Sequence, residues 1–352
     1  MIMKTDFDLN ITDPVYKEGQ KINFLQRFFL RFINDKRDLP FVRLCIVICL
    51  TTIPAAIYMF VAEEFSWWLA LIYFAYNSIF LMGPYILMLH NTSHGLFFKR
   101  KYNLLNKLVH WIIGPFFGET PESYFAHHLG MHHPENNLPD DLSSTMNYRR
   151  DSFTDFMKYF LKFFVFIVPE LSSYLKRKGR KKLLRNYITG ESLWYVLVTA
   201  LMFLNWKAAL VVFVIPLVFT RFMMMTGNWS QHAFIDLQTP DNCYRNSITC
   251  INSSYNKTCF NDGYHIGHHL HPTMHWTNLP VNFKENISRY AEENAVVFRK
   301  LDYFMIWILL MTKSYGVLSE YYVDLNPGKN KTKSEIIDLL KYRTGKYISP
   351  QV

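Results

Sequence analysis

Thirteen histidines occur in the 352 residues, and twelve of them fall into four small groups. These are His90 and His94; His127, His128, His132 and His133; His232; and His265, His268, His269, His271 and His275, with His110 standing apart. Residues three and four apart share a helix face and can turn ring nitrogens toward one ion. His90 with His94 meets that rule, as do His265, His268 and His269. The second group is less regular. His128 and His132 align, but His133 lies five positions beyond His128 and needs a helix end or a kink, with His127 as the substitute in another register. Imidazole suits iron, zinc, copper and nickel alike, so ligand type does not choose the metal. The count says more. One zinc closes with four ligands, whereas some nine convergent histidines are enough for two ions with positions left open. The Glu and Glu-x-x-His pattern of carboxylate-bridged di-iron bundles is missing.

The elements that must position these groups are apolar. Half the residues are hydrophobic, mean hydropathy is near zero, and net charge is +10 with a pI of about 9.2. Such a balance suits a membrane protein whose basic side faces anionic lipid. Nucleic acid is excluded as the partner of that charge, because the apolar runs are too long for a DNA-binding module. Residues 44–61 and 67–89 each approach the roughly 20 residues a spanning helix needs. The runs Ser192–Leu204 and Ala208–Thr220, split by Asn205-Trp206-Lys207, extend to 188–204 and 208–226 as a second hairpin. The predicted fold is therefore all-α: one domain over 1–352, multi-pass, with four transmembrane helices in two hairpins. Residues 90–152 and 227–322 form a cytoplasmic helical cap that carries the histidines.

Lys and Arg crowd the segments before the first span, after the second and before the third, which puts both termini in the cytoplasm. Met1 to Lys21 has no apolar core of a signal peptide, so the first span doubles as the insertion signal. Residues 153–168 carry Asp155, Lys158 and Lys162 on one helical face among phenylalanines, the pattern of an interfacial helix. Phe304 to Met311 is too short to cross and reads as a membrane-facing patch of the cap. Lys176 to Arg185 reads as lipid-facing, Met223 to Met225 as span packing and His110 as an interfacial residue. Five cysteines without a CxxC pair indicate a reducing compartment. In this topology His90 lies at the inner end of span two and His232 just beyond span four, so all four histidine groups face one side.

With those motifs in place, the chain resembles the membrane fatty acid desaturase and hydroxylase family, which is marked by three histidine boxes. His90-Asn91-Thr92-Ser93-His94 and the following Gly95-Leu96-Phe97-Phe98 are similar to the first box. His128-x-x-x-His132-His133 resembles the longer variant of the second, and Asp262-Gly263-Tyr264-His265-Ile266-Gly267-His268-His269-Leu270-His271-Pro272 the third. Asn228-Trp229-Ser230-Gln231-His232 resembles the Asn-x-x-x-His of stearoyl-CoA desaturases. Carried over residue by residue, the resemblance implies nine direct ligands, His90, His94, His128, His132, His133, His232, His265, His268 and His269, with Asn228 acting through water. Box one is one residue shorter than in the acyl-CoA desaturases and box two one longer, so their substrate does not transfer. Asp236, four after His232, and Asp262, three before His265, are placed to accept the outer N–H of a ligand ring; capping or surface roles fit them equally, and Asn261-Asp262-Gly263 also reads as a turn. His127, His271 and His275 read as supporting contacts.

The implied cofactors are two ferrous ions, with O2 as co-substrate. The implied reaction is removal of hydrogen from a long acyl chain, desaturation before hydroxylation, oxidative decarboxylation to a terminal alkene, or carotenoid or alkane hydroxylation. No haem, flavin or iron–sulfur motif is fused to the chain, so electrons must come from a cytochrome b5-like protein or a ferredoxin, which the basic surface would steer. A haem-binding electron carrier would need histidines facing one another inside the bilayer, whereas these sit at span ends. A zinc-dependent membrane hydrolase is the third class compatible with the residues.

Overall fold

The computed structural model describes residues 9–19, 21–326 and 331–346. The chain termini, expected in the cytoplasm, lie outside the described residues. The chain is mostly helical, and three helical runs are long and apolar enough to cross a membrane: Lys36–Val61, Trp67–His94 and Lys181–Gln231. The first opens with Pro40 in its first turn, where a missing N–H costs nothing. Ser66 caps the second by accepting from the Leu69 amide. The third runs for 51 residues, which at 1.5 Å per residue is more than twice a hydrocarbon core of roughly 30 Å. It is interrupted at Asn205, whose φ of −154° and ψ of 94° are not helical. The Asn205 side chain accepts from the Ala208 amide, as the cap of a new helix does.

Two compact units make up the chain. One comprises Tyr16–Met131 and Val168–Phe222 and holds most of the apolar helices. Trp194 and Val198 before the Asn205 break, and Ala208, Val212 and Phe213 after it, bury into one core with Ala56, Met59, Ala70 and Tyr73. Leu50, Val61, Trp68, Ile79 and Phe203 stay exposed, as side chains turned to lipid do. The segment from Gly114 to Ser123 is pinned inside this unit. Gly118 has φ +75°, and a methyl group there would overlap the Pro216 carbonyl. Thr120 donates to Glu191 at 2.6 Å, and Arg221 stands 3.6 Å from the same carboxylate. Burial raises the Glu119 carboxyl to about 7, against the pull of Arg221.

The other unit comprises Met1–Val15, His132–Ile167 and Met223–Val352. It contains the element that the all-helical expectation omits, a two-stranded parallel sheet of β1 (Ile248–Ile251) and β2 (Val296–Arg299), with Ile248 opposite Val296. Four residues per strand give too little alternation to stand out from flanking loops, although both are rich in β-branched residues. Phe304 to Met311 lies in the helix Tyr303–Met311, which buries Tyr303, Ile306 and Leu310 and exposes Phe304, Met305 and Ile308. The helix that starts at Phe153 continues past Pro169 to Arg177, further than the expected 168.

Arg150 is fully buried and serves as a clamp. Its guanidinium donates to the carbonyls of Ala233 at 2.9 Å, Thr145 at 3.2 Å, Arg343 at 3.1 Å and also Gly345. Ala233 follows His232 directly, so the clamp fixes backbone beside a histidine. Arg150→Met keeps the bulk but strands those carbonyls, and is expected to cost about 2–4 kcal/mol, read as a lowered midpoint in thermal unfolding of the detergent-solubilised protein.

Candidate metal centre

In the first unit, His90 and His94 occupy one face of the last turn of the helix Met82–His94. His128 comes from the segment Phe125–His132, which is π-helical. Its backbone hydrogen bonds span five residues instead of four, a departure from α-helical register of the kind the irregular second histidine group calls for. The His90 and His128 ring centroids are 4.6 Å apart, those of His94 and His128 5.1 Å, and the Nε2 atoms of His94 and His128 approach to 3.0 Å. Tyr124 packs on both His90 and His128.

In the second unit, His132, His232, His265 and His269 bring one nitrogen each to within 4.8 Å of one another. His265 Nε2 lies 3.2 Å from His232 Nε2 and 3.0 Å from His269 Nε2. His133 and His268 form a pair in the same unit, with Nε2 atoms 3.0 Å apart. All nine sequence-predicted histidines therefore stand in close contact with at least one other.

Outer nitrogens decide what the inner ones can do. His132 Nδ1 is 2.8 Å from Asp141 Oδ2, and His232 Nδ1 is 2.9 Å from the Asn246 carbonyl. Acceptors at those positions fix the Nδ1–H tautomer and leave an Nε2 lone pair facing inward. Asp141 is itself held by the Asn137 and Ser143 amides and the Ser143 hydroxyl. Burial, aided by the neighbouring His132, lowers the His232 imidazole to about 4. Burial and the surrounding rings push His269 well below its ordinary value.

These features fit a metal. Two nitrogens bound to one ion at about 2.0–2.1 Å, with ordinary angles between them, stand roughly 3.0–3.4 Å apart. The Nε2 separations here match that spacing. Between neutral rings whose hydrogens point outward, such lone-pair contacts repel unless a cation sits among them. The donor set, all imidazole, suits iron, zinc, copper or nickel.

Asp141 and Asn246 were not found from the sequence. Asp141 follows His132 by nine residues and returns to it only because Asn136 and Asn137 take positive φ, a turn that asparagine tolerates. Asp236 pairs with Arg245 at 3.7 Å and Arg343 at 3.8 Å, and the outer nitrogen of His232 goes to Asn246 instead. The Asp262 carboxylate accepts from Tyr255 at 2.8 Å and Gln231 at 3.2 Å, and its carbonyl accepts from Tyr303. The Asn228 amide donates to the Ser143 carbonyl at 2.9 Å and the Tyr159 hydroxyl at 2.7 Å. His275 caps the turn Trp276–Asn278, and His271 ends the helix His265–Leu270. His110, expected at the interface, is buried with Nε2 3.2 Å from Glu122 Oε1.

The fold and the histidine clusters define a helical protein with runs apolar enough to cross a membrane and side chains that could hold a metal. The fatty acid desaturase family model matches residues 23–301, and the chain belongs to that family of oxidoreductases. Neither the curated proteins nor the solved structures gave a match.

Two outcomes are expected. Asp141→Ala frees the His132 ring and should weaken metal affinity by about 10–100-fold in equilibrium dialysis. The unfolded chain protonates His232 below about 6.5, whereas the folded chain resists until about 4. The metal-free protein should therefore keep its full His232 contribution above pH 6.5 and lose it as pH falls toward 4, seen as a declining unfolding temperature.

Proposed function

We propose that His90, His94, His128, His132, His133, His232, His265, His268 and His269 hold two iron ions, and that the protein uses O2 to remove hydrogen from a long acyl chain, with desaturation as the leading outcome. The observation that carries this reading is the pair of inward-facing histidine clusters in a chain of the fatty acid desaturase family. The ions would supply the oxidising power that no side chain has. The protein's own contribution is placement. Asp141 and Asn246 keep two ligand rings oriented, and burial of His132, His232 and His265 excludes water from their nitrogens.

Four spans in two hairpins, with histidines and termini on the cytoplasmic side, remain our reading of the topology. The Asn205 break supports it by dividing the longest apolar run. Electrons would come from a separate cytochrome b5-like protein or ferredoxin.

A cavity of about 450 Å³ in the first unit bears on the substrate. Its wall includes His94, the apolar Leu96, Phe97 and Phe125, and the cations Lys107 and Lys182. Among the described residues the wall has one carboxylate, Glu122, which is engaged by Trp111 Nε1 at 2.9 Å and by His110. An acyl chain with an anionic head matches a wall that is apolar beside His94 and basic at Lys107 and Lys182.

Membranes containing the protein, given isotope-labelled fatty acids and acyl-CoA with a reductant, should yield products two hydrogens lighter by mass spectrometry. Products gaining oxygen would assign hydroxylation instead, and metal analysis finding zinc without iron would sink the reading. His265→Ala should lose iron and product together. Lys182→Glu should raise KM about three- to tenfold while leaving kcat near wild type, as a removed charge contact on bound substrate does.

A further inference from the structure

We propose that Asp13 is a positioning residue for the histidine-bearing helix His265–Leu270, and that residues 9–14 strap this helix into register for metal binding. Asp13 is only 4% exposed. Its Oδ2 accepts the Tyr264 hydroxyl at 2.6 Å and the Asn252 amide at 2.7 Å. The flanking residues hold the strap down: Thr12 N donates to Asn252 Oδ1, Asn252 Nδ2 donates to the Asn10 carbonyl, and Asn261 Nδ2 donates to the Pro14 carbonyl, each at 2.7 Å. Leu9 enters the same core as Tyr264, Ile266, Phe283 and Tyr290.

Tyr264 is where this strap meets the chemistry. It immediately precedes His265, and its carbonyl accepts the His268 amide at 3.0 Å. The helix has six residues and no side-chain cap at its start. So short a helix is unstable by itself and depends on tertiary contacts to hold its histidines. Gly263 is fixed on one side, where its amide donates to Asn256 Oδ1 at 2.9 Å and a methyl group would overlap Asn256 and the Cys250 carbonyl. Asp13 fixes the other side through the far end of the Tyr264 ring. The ring is fully buried, so removing its acceptor leaves a stranded hydroxyl at the root of the helix. Asp13 lies outside the family match, which begins at residue 23, whereas its partners Asn252 and Tyr264 lie within it.

The test uses the full-length protein in detergent. In metal-free samples, Asp13→Ala should raise hydrogen exchange in the peptide spanning residues 264–271 by roughly tenfold, with the peptide carrying His90 and His94 unchanged. Metal-loaded Asp13→Ala should release iron to a chelator about three to ten times faster than wild type, less than loss of a direct ring partner costs. Asp13→Asn keeps an acceptor oxygen and should restore both values to within about twofold. Tyr264→Phe, which keeps the ring against Phe283 and loses only the hydroxyl, should reproduce the alanine pattern if Asp13→Ala does not fold. Exchange raised evenly over the whole chain, or unchanged at 264–271 with iron release at the wild-type rate, overturns the proposal and leaves the strap an ordinary packing element. The release arm rests on the metal-binding reading above, and the exchange arm does not. Wild-type protein that takes up no metal therefore defeats that reading, while exchange at 264–271 still decides the strap.

Discussion

A buried imidazole serves a metal only when its free lone pair points inward, and that orientation is set by what stands behind the ring. His132 and His232 meet that condition through one connected network. Asp141 holds His132, and its oxygens are in turn fixed by the Asn137 amide and Ser143. The Asn137 side chain donates to Asn246, whose carbonyl accepts from His232, while Thr145 bonds both Asn137 and the His232 carbonyl. Loss of any one acceptor leaves a donor buried without compensation, so the members are coupled more tightly than a list of pairs suggests.

The helices supply coarse placement, and short irregular segments supply the fine adjustment. His90 and His94 need only the last turn of a long apolar helix, because i and i+4 already share a face. Box two cannot use that rule and resolves it with a π-helical turn, followed by two asparagines at positive φ that send the chain back to Asp141. Box three depends on six helical residues held by contacts from β1, from Asn256 and from the segment at Asp13. Rigidity comes from hydrogen bonds far apart in sequence, which the histidine spacing does not encode.

That division explains what could be read in advance. Long apolar runs and histidine spacing are local properties, so the apolar spans and the histidines that gather were legible, as was the interruption at Asn205-Trp206-Lys207. The partners of the rings were not. Asp236 stands close in sequence to His232, yet it is drawn to Arg245 and Arg343 while the outer nitrogen of His232 goes to Asn246. Asp141 and Asn246 succeed because of turns and pairings that no periodicity announces. The parallel sheet escaped for a related reason: its partners, Ile248 and Val296, are separated by long stretches of chain.

Charge gives the choice of acceptors a further consequence. An all-imidazole set donates lone pairs without negative charge, so it leaves the charge of a divalent ion uncompensated. Asp141 places a carboxylate one ring away from the second cluster, with only 3% of the residue exposed, where solvent screens it little. His232 answers to a backbone carbonyl, which orients its ring without adding charge. One polarised ring and one merely oriented ring in the same cluster make its ligands unequal. Substitution at Asp141 would therefore alter the electronic character of a bound ion as well as its affinity, whereas an altered Asn246 contact would act on orientation alone.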